Sequence, residues 1–124
     1  MEITFTDREL DLMDVLWDVG SATVPEMLEK LEGEPAYTTI STLLRILVAK
    51  GYVGVREEGR SHRYYPLVER SEAGVSALRR LAEKVFKGST ELALTHFVTS
   101  GDLTNEEIRR IQQLLKRQRT SGGK

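Results

Sequence analysis

The stretch AYTTISTLLRILVAKGYV (residues 36–53) contains a helix with two different faces. Its apolar residues follow the three- and four-residue spacing of a buried stripe: Ile40, Leu43, Leu44 and Leu47, with Val48 beside them. The opposite face carries hydroxyl groups and a guanidinium, on Tyr37, Thr38, Thr39, Ser41, Thr42 and Arg45. Because exposed helix positions normally favour Glu, Lys, Gln or Ala, this face predicts a contact surface.

Three capping boxes, each a Thr with a Glu three residues later, predict further helix starts at Thr6, Thr23 and Thr104. The first helix places an apolar face on Leu10, Met13, Leu16 and Trp17 and ends near Gly20. Its acidic residues are interpreted as one solvated face: Asp7, Glu9, Asp11, Asp14 and Asp18. The second helix is short, with Met27, Leu28 and Leu31 as its apolar residues.

After Lys50, Gly51 is expected to end the helix in a left-handed conformation. Residues 52–57 and 62–66 have strand-like composition, so they predict a β-hairpin with its tip at 58–61 and with Val53 and Tyr64 toward the core. Helices are predicted again from Ser71 to about Phe86, from Thr90 to about Val98 and after Thr104.

This order of elements predicts a mainly α fold with a small β-hairpin wing. Three helices and a hairpin within residues 6–66 are typical of a winged helix-turn-helix. We therefore expect a winged-helix DNA-binding domain over residues 1–70, a helical region over 71–118 and a disordered tail over 119–124.

The polar face of the third helix suits a DNA major groove. Hydroxyl groups hydrogen-bond to phosphates and base edges, a Thr methyl contacts thymine, and Arg45 can bind guanine or a phosphate. The hairpin adds cations for the phosphate backbone, on Arg56, Arg60, His62 and Arg63. The alternatives are incidental polar groups on the helix and a solvated hairpin tip, which Glu57 and Glu58 favour. Ile46 lies near the groove side, where contact with thymine methyl groups is its one available explanation.

Composition limits the other classes of function. The chain has no cysteine, so it predicts no disulfide and no thiolate site. With two histidines, it also predicts no metal shell and no catalytic triad or dyad, and hence no enzyme and no cofactor. No apolar run is long enough to span a membrane, which predicts a cytoplasmic protein. Residues 1–35 hold two basic and ten acidic side chains (−8), whereas residues 36–66 hold five and two (+3). A nearly neutral total thus contains a local basic surface.

Four features together resemble the penicillinase and methicillin-resistance repressors, the BlaI/MecI/CopY family. These features are Leu16-Trp17, the Thr38-Thr39-Ile40 and Thr42-Leu43-Leu44 stretch, Lys50-Gly51 and Tyr64-Tyr65-Pro66. The resemblance runs from about Thr6 to about Leu115.

The resemblance implies a homodimeric repressor on a palindromic double-stranded DNA operator, with the C-terminal helices as the dimerisation region. The apolar residues there also exceed what three short helices can cover alone. The expected interface comprises Leu78, Leu81, Val85, Leu92, Leu94, Phe97, Ile108, Ile111, Leu114 and Leu115. The alternative is that these helices fold back onto the winged domain as ordinary core.

Two departures from the family pattern bear on regulation. The cysteine motif of CopY-like members is missing, which excludes thiolate metal sensing. In the antibiotic-resistance members a membrane sensor protease triggers cleavage near an Asn-Phe bond. The matching segment here is Thr95-His96-Phe97, without the Asn, so cleavage in this segment is a hypothesis.

Two other classes of binding protein remain open. A winged helix can bind protein partners without binding DNA. Its affinity for a protein would depend less on salt concentration than affinity for DNA does. A small-molecule-sensing repressor of the MarR type would need a pocket in residues 71–118, where no polar residues converge.

Overall fold

The computed structural model describes residues 3–122, with the backbone alone for 120–122, and in them six helices accompany one β-hairpin. The helices are α1 (Asp7–Val19), α2 (Val24–Lys30), α3 (Tyr37–Ala49), α4 (Arg70–Val85), α5 (Thr90–Thr99) and α6 (Asn105–Gly122). The strands are β1 (Val53–Glu58) and β2 (Ser61–Pro66). The predicted fold class is confirmed, and helix and strand bounds agree within one or two residues up to α5.

The described chain divides into two compact units between Leu78 and Arg79, inside α4. The predicted division lay at residues 70/71, at the start of this helix. The observed division lies later in the chain because the first turns of α4 belong to the N-terminal unit, where Ala73 and Ser76 are buried. The Ser76 hydroxyl also accepts a hydrogen bond from the Ile3 N–H at 3.0 Å.

The core of the N-terminal unit lies where α1, α2, α3 and the base of the hairpin meet. Its buried members are Leu12, Met13, Leu16, Ala22, Val24, Met27, Ile40, Leu44, Leu47, Tyr52, Val53 and Tyr64. The predicted stripe of α3 and the inward positions Val53 and Tyr64 are confirmed. The predicted face of α1 is wrong at Leu10, which is 41% exposed, because the buried side is centred on Leu12, Met13 and Leu16.

All three predicted capping boxes are present. Each Thr hydroxyl accepts from the backbone N–H of its Glu, and each Glu carboxylate accepts from the N–H of its Thr, at Thr6, Thr23 and Thr104. These reciprocal bonds satisfy N–H groups that a helix start leaves without intrahelical partners. Gly51, at a φ of 84°, takes the left-handed conformation predicted after α3.

The hairpin is antiparallel, and its register pairs Val53 with Pro66 and Glu58 with Ser61. An isolated bridge between Ala22 and Tyr64, with N···O distances of 2.9 Å in both directions, joins the segment before α2 to β2, and the sequence did not reveal it. Gly54 lies opposite Tyr65, and a Cβ at Gly54 would come within 2.4 Å of the Tyr65 ring. The ring thus covers the glycine, and a larger residue at position 54 would require the Tyr65 side chain to move.

Glu9 corrects the prediction that all acidic residues of the first helix are solvated. Its side chain is 2% exposed, and both carboxylate oxygens accept from the Lys50 ammonium at 2.9 Å. Burial alone would raise the pKa of Glu9, but hydrogen bonds from the Thr6 backbone and Lys50, with the charge of Lys50, lower this pKa below its ordinary value. The pair joins the start of α1 to the C-terminal end of α3.

A second set of contacts fixes the start of α4 on α1. The Arg70 guanidinium donates to Asp14 at 2.9 Å and to Asp18 at 2.8 Å, and it lies 5.2 Å from the centre of the Trp17 ring. The Trp17 indole donates to the backbone carbonyl of Val68 at 2.9 Å. Asp14 and Asp18 are thus exposed, as predicted, and they also contact the adjoining helix.

The C-terminal unit contains the rest of α4 with α5 and α6. Ala82 is buried, and the Phe86 and His96 rings lie 5.4 Å apart. The tail prediction is wrong for residues 119–122, which continue α6, since the residues after Gln118 include no helix-breaking proline. Residues 123–124 lie outside the described residues. Among the described helices, none is long and apolar enough to cross a membrane.

The Glu9–Lys50 pair predicts an acid-dependent loss of stability. A carboxylate whose pKa is lowered by folding stabilises the protein above the unfolded pKa, about 4.5, and this contribution disappears as the pH falls through the lower folded pKa. We expect Glu9→Gln to reduce the free energy of unfolding at pH 7 by about 1 kcal/mol. The difference from the wild type should shrink as the pH falls below about 4.5.

Urea unfolding followed by fluorescence of the single tryptophan, Trp17, measures this in the N-terminal unit. Asp11→Asn removes an exposed carboxylate of the same helix and should have little effect at any pH. A Glu9→Gln deficit that is equally large at pH 7 and pH 3 would contradict this role of the pair.

Candidate nucleic-acid interface

The exposed face of α3 is centred on three of the predicted residues. Thr38, Thr42 and Arg45 are exposed, and their spacing of four and three residues places them on one side of the helix. This side is exposed because the opposite side, with Ile40, Leu44 and Leu47, is buried in the core. Thr39 and Ser41 are half-buried and flank the exposed face on either side. Tyr37 is exposed in the first turn.

Two further residues of α3 belong to the exposed face. Ile46 is 40% exposed, which agrees with its predicted place off the buried stripe. Ala49 lies one helical turn beyond Arg45 and is also exposed. The sequence analysis did not include Ala49. It could have been found because it continues the helical spacing of Thr38, Thr42 and Arg45 and has a small side chain. A small residue here lets a surface approach the last turn of α3 closely.

The N-terminus of α3 has no side-chain cap. Its N-cap is Ala36, and among the described residues no side-chain hydrogen bond caps this helix. In α1 and α2 one of these N–H groups, that of Glu9 or Glu26, donates to a Thr hydroxyl. Free N–H groups and the helix dipole favour an anion, so the first turn of α3 suits a phosphate.

The hairpin cations lie at different places along the wing. Arg60 and His62 are exposed at and beside the turn, and His62 Nε2 lies 4.0 Å from the Glu57 carboxylate. Arg56 is exposed, lies 5.9 Å from the centre of the Tyr65 ring and has Glu58 at 3.9 Å. These three side chains are accessible to a phosphate backbone.

Arg63 differs from the other predicted hairpin cations. Only 18% of its side chain is exposed, and its guanidinium donates to Glu26 and Glu58. Sequence spacing could not reveal this, because Glu26 lies on α2, thirty-seven residues away along the chain. The expected phosphate contact would require Arg63 to leave both carboxylates.

The predicted dimer residues lie in α4, α5 and α6, with Leu78 at the end of the N-terminal unit and the others in the C-terminal unit. Ile108 is half-buried and the others are exposed: Leu78, Leu81, Val85, Leu92, Leu94, Phe97, Ile111, Leu114 and Leu115. Large exposed apolar surfaces of this kind mark interaction sites. The structure therefore leaves these side chains available to a partner.

The candidate cleavage segment, Thr95-His96-Phe97, lies within α5. All three side chains are exposed, and Phe97 is 53% exposed. The Thr95 hydroxyl donates to the Glu91 carbonyl at 2.8 Å, inside the helix. The segment is accessible, but it is helical and not extended as a protease substrate must be.

Comparison with known proteins gives one consistent family. The family profile described as penicillinase repressor matches residues 5–117. The methicillin resistance regulatory protein MecI of Staphylococcus aureus (strain N315) is 26% identical over 114 residues, which cover 90% of this chain and 93% of MecI. The transcriptional regulator BlaI of Mycobacterium tuberculosis (strain CDC 1551 / Oshkosh) is 38% identical over 97 residues, covering 74% of this chain and 70% of that protein.

A solved structure of a DNA-binding domain matches part of this chain. It is the solution structure of the DNA-binding domain of the repressor BlaI, with 30% identity and a TM-score of 0.51, covering 58% of this chain and 93% of that chain. The matching fold, the family profile and the named relatives agree. This chain belongs to the penicillinase repressor family of winged-helix, DNA-binding transcriptional repressors, which are not enzymes.

Proposed function

We propose that this chain is a homodimeric repressor that binds a palindromic DNA operator, with α3 of each protomer in a major groove and the hairpin beside the phosphate backbone. The observation that carries the proposal is the exposed face of α3, where Thr38, Thr42 and Arg45 lie together. An α-helix fits the major groove, and these side chains match the donors, acceptors and methyl groups of base edges. Half-sites are expected one or two helical turns apart.

Charge distribution supports the same orientation on DNA. Exposed positive charges lie on α3 and the hairpin, at Arg45, Arg56 and Arg60. Exposed negative charges lie on α1, for example at Asp7 and Asp11. A polyanion is attracted to the basic surface and repelled by the acidic one, whatever the net charge of the whole chain. We assign the phosphate contacts to Arg56, Arg60 and His62, together with the uncapped first turn of α3.

Dimerisation is proposed through the C-terminal helices. A region of this size buries too little apolar surface on its own to be stable, and its leucines and Phe97 are exposed. A second copy would remove these side chains from water and would also place two copies of α3 on one duplex. We propose that cleavage in residues 95–98 by a membrane sensor protease separates the paired regions and so releases the operator.

The direct test is a binding titration with the intact protein and DNA from immediately upstream of its own gene, beside a scrambled duplex. We expect selective binding that weakens steeply between about 50 and 200 mM salt, because Lys and Arg contacts release counterions. Equal weak binding to both duplexes would contradict an operator at this place in the genome. No binding to either duplex at low salt would contradict the proposed function and favour a protein-binding winged helix.

Two arginine substitutions should separate base contact from phosphate contact. Arg60→Gln should weaken binding to all sequences alike and reduce the slope of log K against log salt by about 0.9. Arg45→Ala should also relax specificity, at a cost of about 1–3 kcal/mol if the arginine contacts a base. Both effects appear in the titration on operator and scrambled DNA.

The matched control is Arg8→Gln, which removes a positive charge from the acidic helix α1. It should change neither the specificity nor the salt slope by a comparable amount. If Arg45→Ala binds both duplexes as the wild type does, the assignment of Arg45 is wrong.

Leu115→Glu should convert the dimer to a monomer, because a carboxylate would be placed in the apolar face of α6. Sedimentation equilibrium measures the change in mass, and operator affinity should fall with it. Gln113→Glu places the same charge on the opposite side of α6 and should leave the dimer intact. A Leu115→Glu protein that stays dimeric would contradict this interface.

Proteolytic release predicts fragments that end within residues 95–98. Since the segment is helical, we expect cleavage to require local unfolding of α5, with rapid amide hydrogen exchange there relative to α3. The measurement is mass spectrometry after incubation with the cognate sensor protease. A chain that remains intact, or is cut only elsewhere, would rule out this mechanism.

A further inference from the structure

Arg63 is held by carboxylates from two different elements. Its Nη1 and Nη2 donate to the two oxygens of Glu26, on α2, at 3.0 and 3.2 Å. Its Nε donates to Glu58, at the end of β1, at 2.9 Å, and Nη1 also lies 3.4 Å from the Ser21 hydroxyl. Four of the five N–H groups of a guanidinium are directed at protein acceptors in this arrangement. Little capacity remains for a phosphate.

Glu26 has two roles at the start of α2. Its carboxylate accepts a hydrogen bond from the Thr23 N–H in the capping box, and it also accepts the bidentate pair of hydrogen bonds from Arg63. The hydrogen bond from Arg63 lowers the pKa of Glu26 most, and the hydrogen bond from the Thr23 backbone lowers it further. The same residue thus caps the start of α2 and fixes the strand beside it.

The register of the hairpin explains why Arg63 needs these carboxylates. Arg56 and Arg63 are directly opposite each other on one face, and like charges at such positions repel. Glu58 lies near both, at 3.9 Å from Arg56 and 2.9 Å from Arg63. The carboxylates therefore offset the charge of Arg63, and Arg56 remains exposed beside the Tyr65 ring.

We infer that Glu26 and Arg63 are positioning residues, which fix the hairpin against the start of α2 so that Arg56 and Arg60 are presented to DNA, and that Arg63 does not itself bind a phosphate. A two-stranded hairpin is marginally stable alone and needs such anchors. The Ala22–Tyr64 bridge holds β2 next to Arg63, and the Arg63 contacts add a side-chain anchor nearer the turn. This inference rests on the proposed function, since it concerns how the wing reaches operator DNA.

The two roles of Arg63 predict opposite effects for Glu26→Gln in the intact protein. If Arg63 bound a phosphate, removal of a competing carboxylate would strengthen operator binding. If the pair positions the wing, Glu26→Gln should weaken binding by up to about fivefold, the upper limit for an exposed ion pair. Gln keeps an oxygen that can accept from Thr23, so the substitution removes the carboxylate charge and the second acceptor of Arg63 while the capping box remains.

The matched control is Glu29→Gln, which removes the same charge from the same helix at an exposed position. It should leave operator binding unchanged or slightly stronger, because one repulsive charge is gone. Trp17 fluorescence in urea shows whether each variant retains the folded N-terminal unit.

The salt dependence provides a second, independent readout. Arg63→Gln should weaken operator binding as Glu26→Gln does, with the slope of log K against log salt unchanged. Arg60→Gln, by contrast, should reduce that slope by about 0.9, the value for one lost phosphate contact. Stronger binding by Glu26→Gln, or a reduced slope for Arg63→Gln, would overturn the inference.

Failure of the inference and failure of the proposed function are distinguishable. A wild-type protein without salt-sensitive, selective DNA binding would overturn both. A wild type that binds as proposed, with Glu26→Gln indistinguishable from Glu29→Gln, would overturn the positioning role alone.

Discussion

Burial of Ile40, Leu44 and Leu47 is the constraint on which the interface depends. These residues pack against α1 and α2, and each fully buried leucine or isoleucine contributes about 1.5–3 kcal/mol of transfer free energy. Because a helix has one rotation that buries this stripe, the side with Thr38 and Arg45 must face outward. The hydrophobic core thus determines which side chains are available to DNA.

Ionic contacts also join the elements around α3. The Glu9–Lys50 pair holds the C-terminal end of α3 to the start of α1, with the Glu9 carboxylate buried. The Glu26–Arg63 contact acts at the hairpin, and the Arg70 contacts act at the start of α4. Each pair joins elements that are far apart in sequence. Charges that look like a surface pattern in the sequence therefore include groups that hold the winged domain together.

Local signals in the sequence are sufficient to predict most of the fold. Capping boxes depend on residues three apart, and the stripe of α3 depends on helical spacing, so both can be recognised from the sequence. Gly51 is recognisable for the same reason, since a left-handed helix end favours glycine. The order of elements then restricts the fold to a winged helix.

Long-range contacts are not predictable in the same way. Glu9 looks solvated in the sequence because its partner, Lys50, is forty-one residues away, and Arg63 looks like a DNA contact because Glu26 lies on another helix. The bridge at Ala22 has no composition signal, since one pair of backbone bonds does not need a particular side chain. The exposed face of α3 remains a prediction for DNA contact, supported by family membership and by its exposure.

Methylation protection with dimethyl sulfate on operator DNA tests most directly whether α3 enters the major groove. The reagent modifies guanine N7 in the major groove and adenine N3 in the minor groove. With α3 in place, we predict two clusters of protected guanine N7 atoms on one face of the duplex, one or two helical turns apart. Protection confined to adenine N3, or no protection of guanine N7 at saturating protein, would contradict this placement of α3.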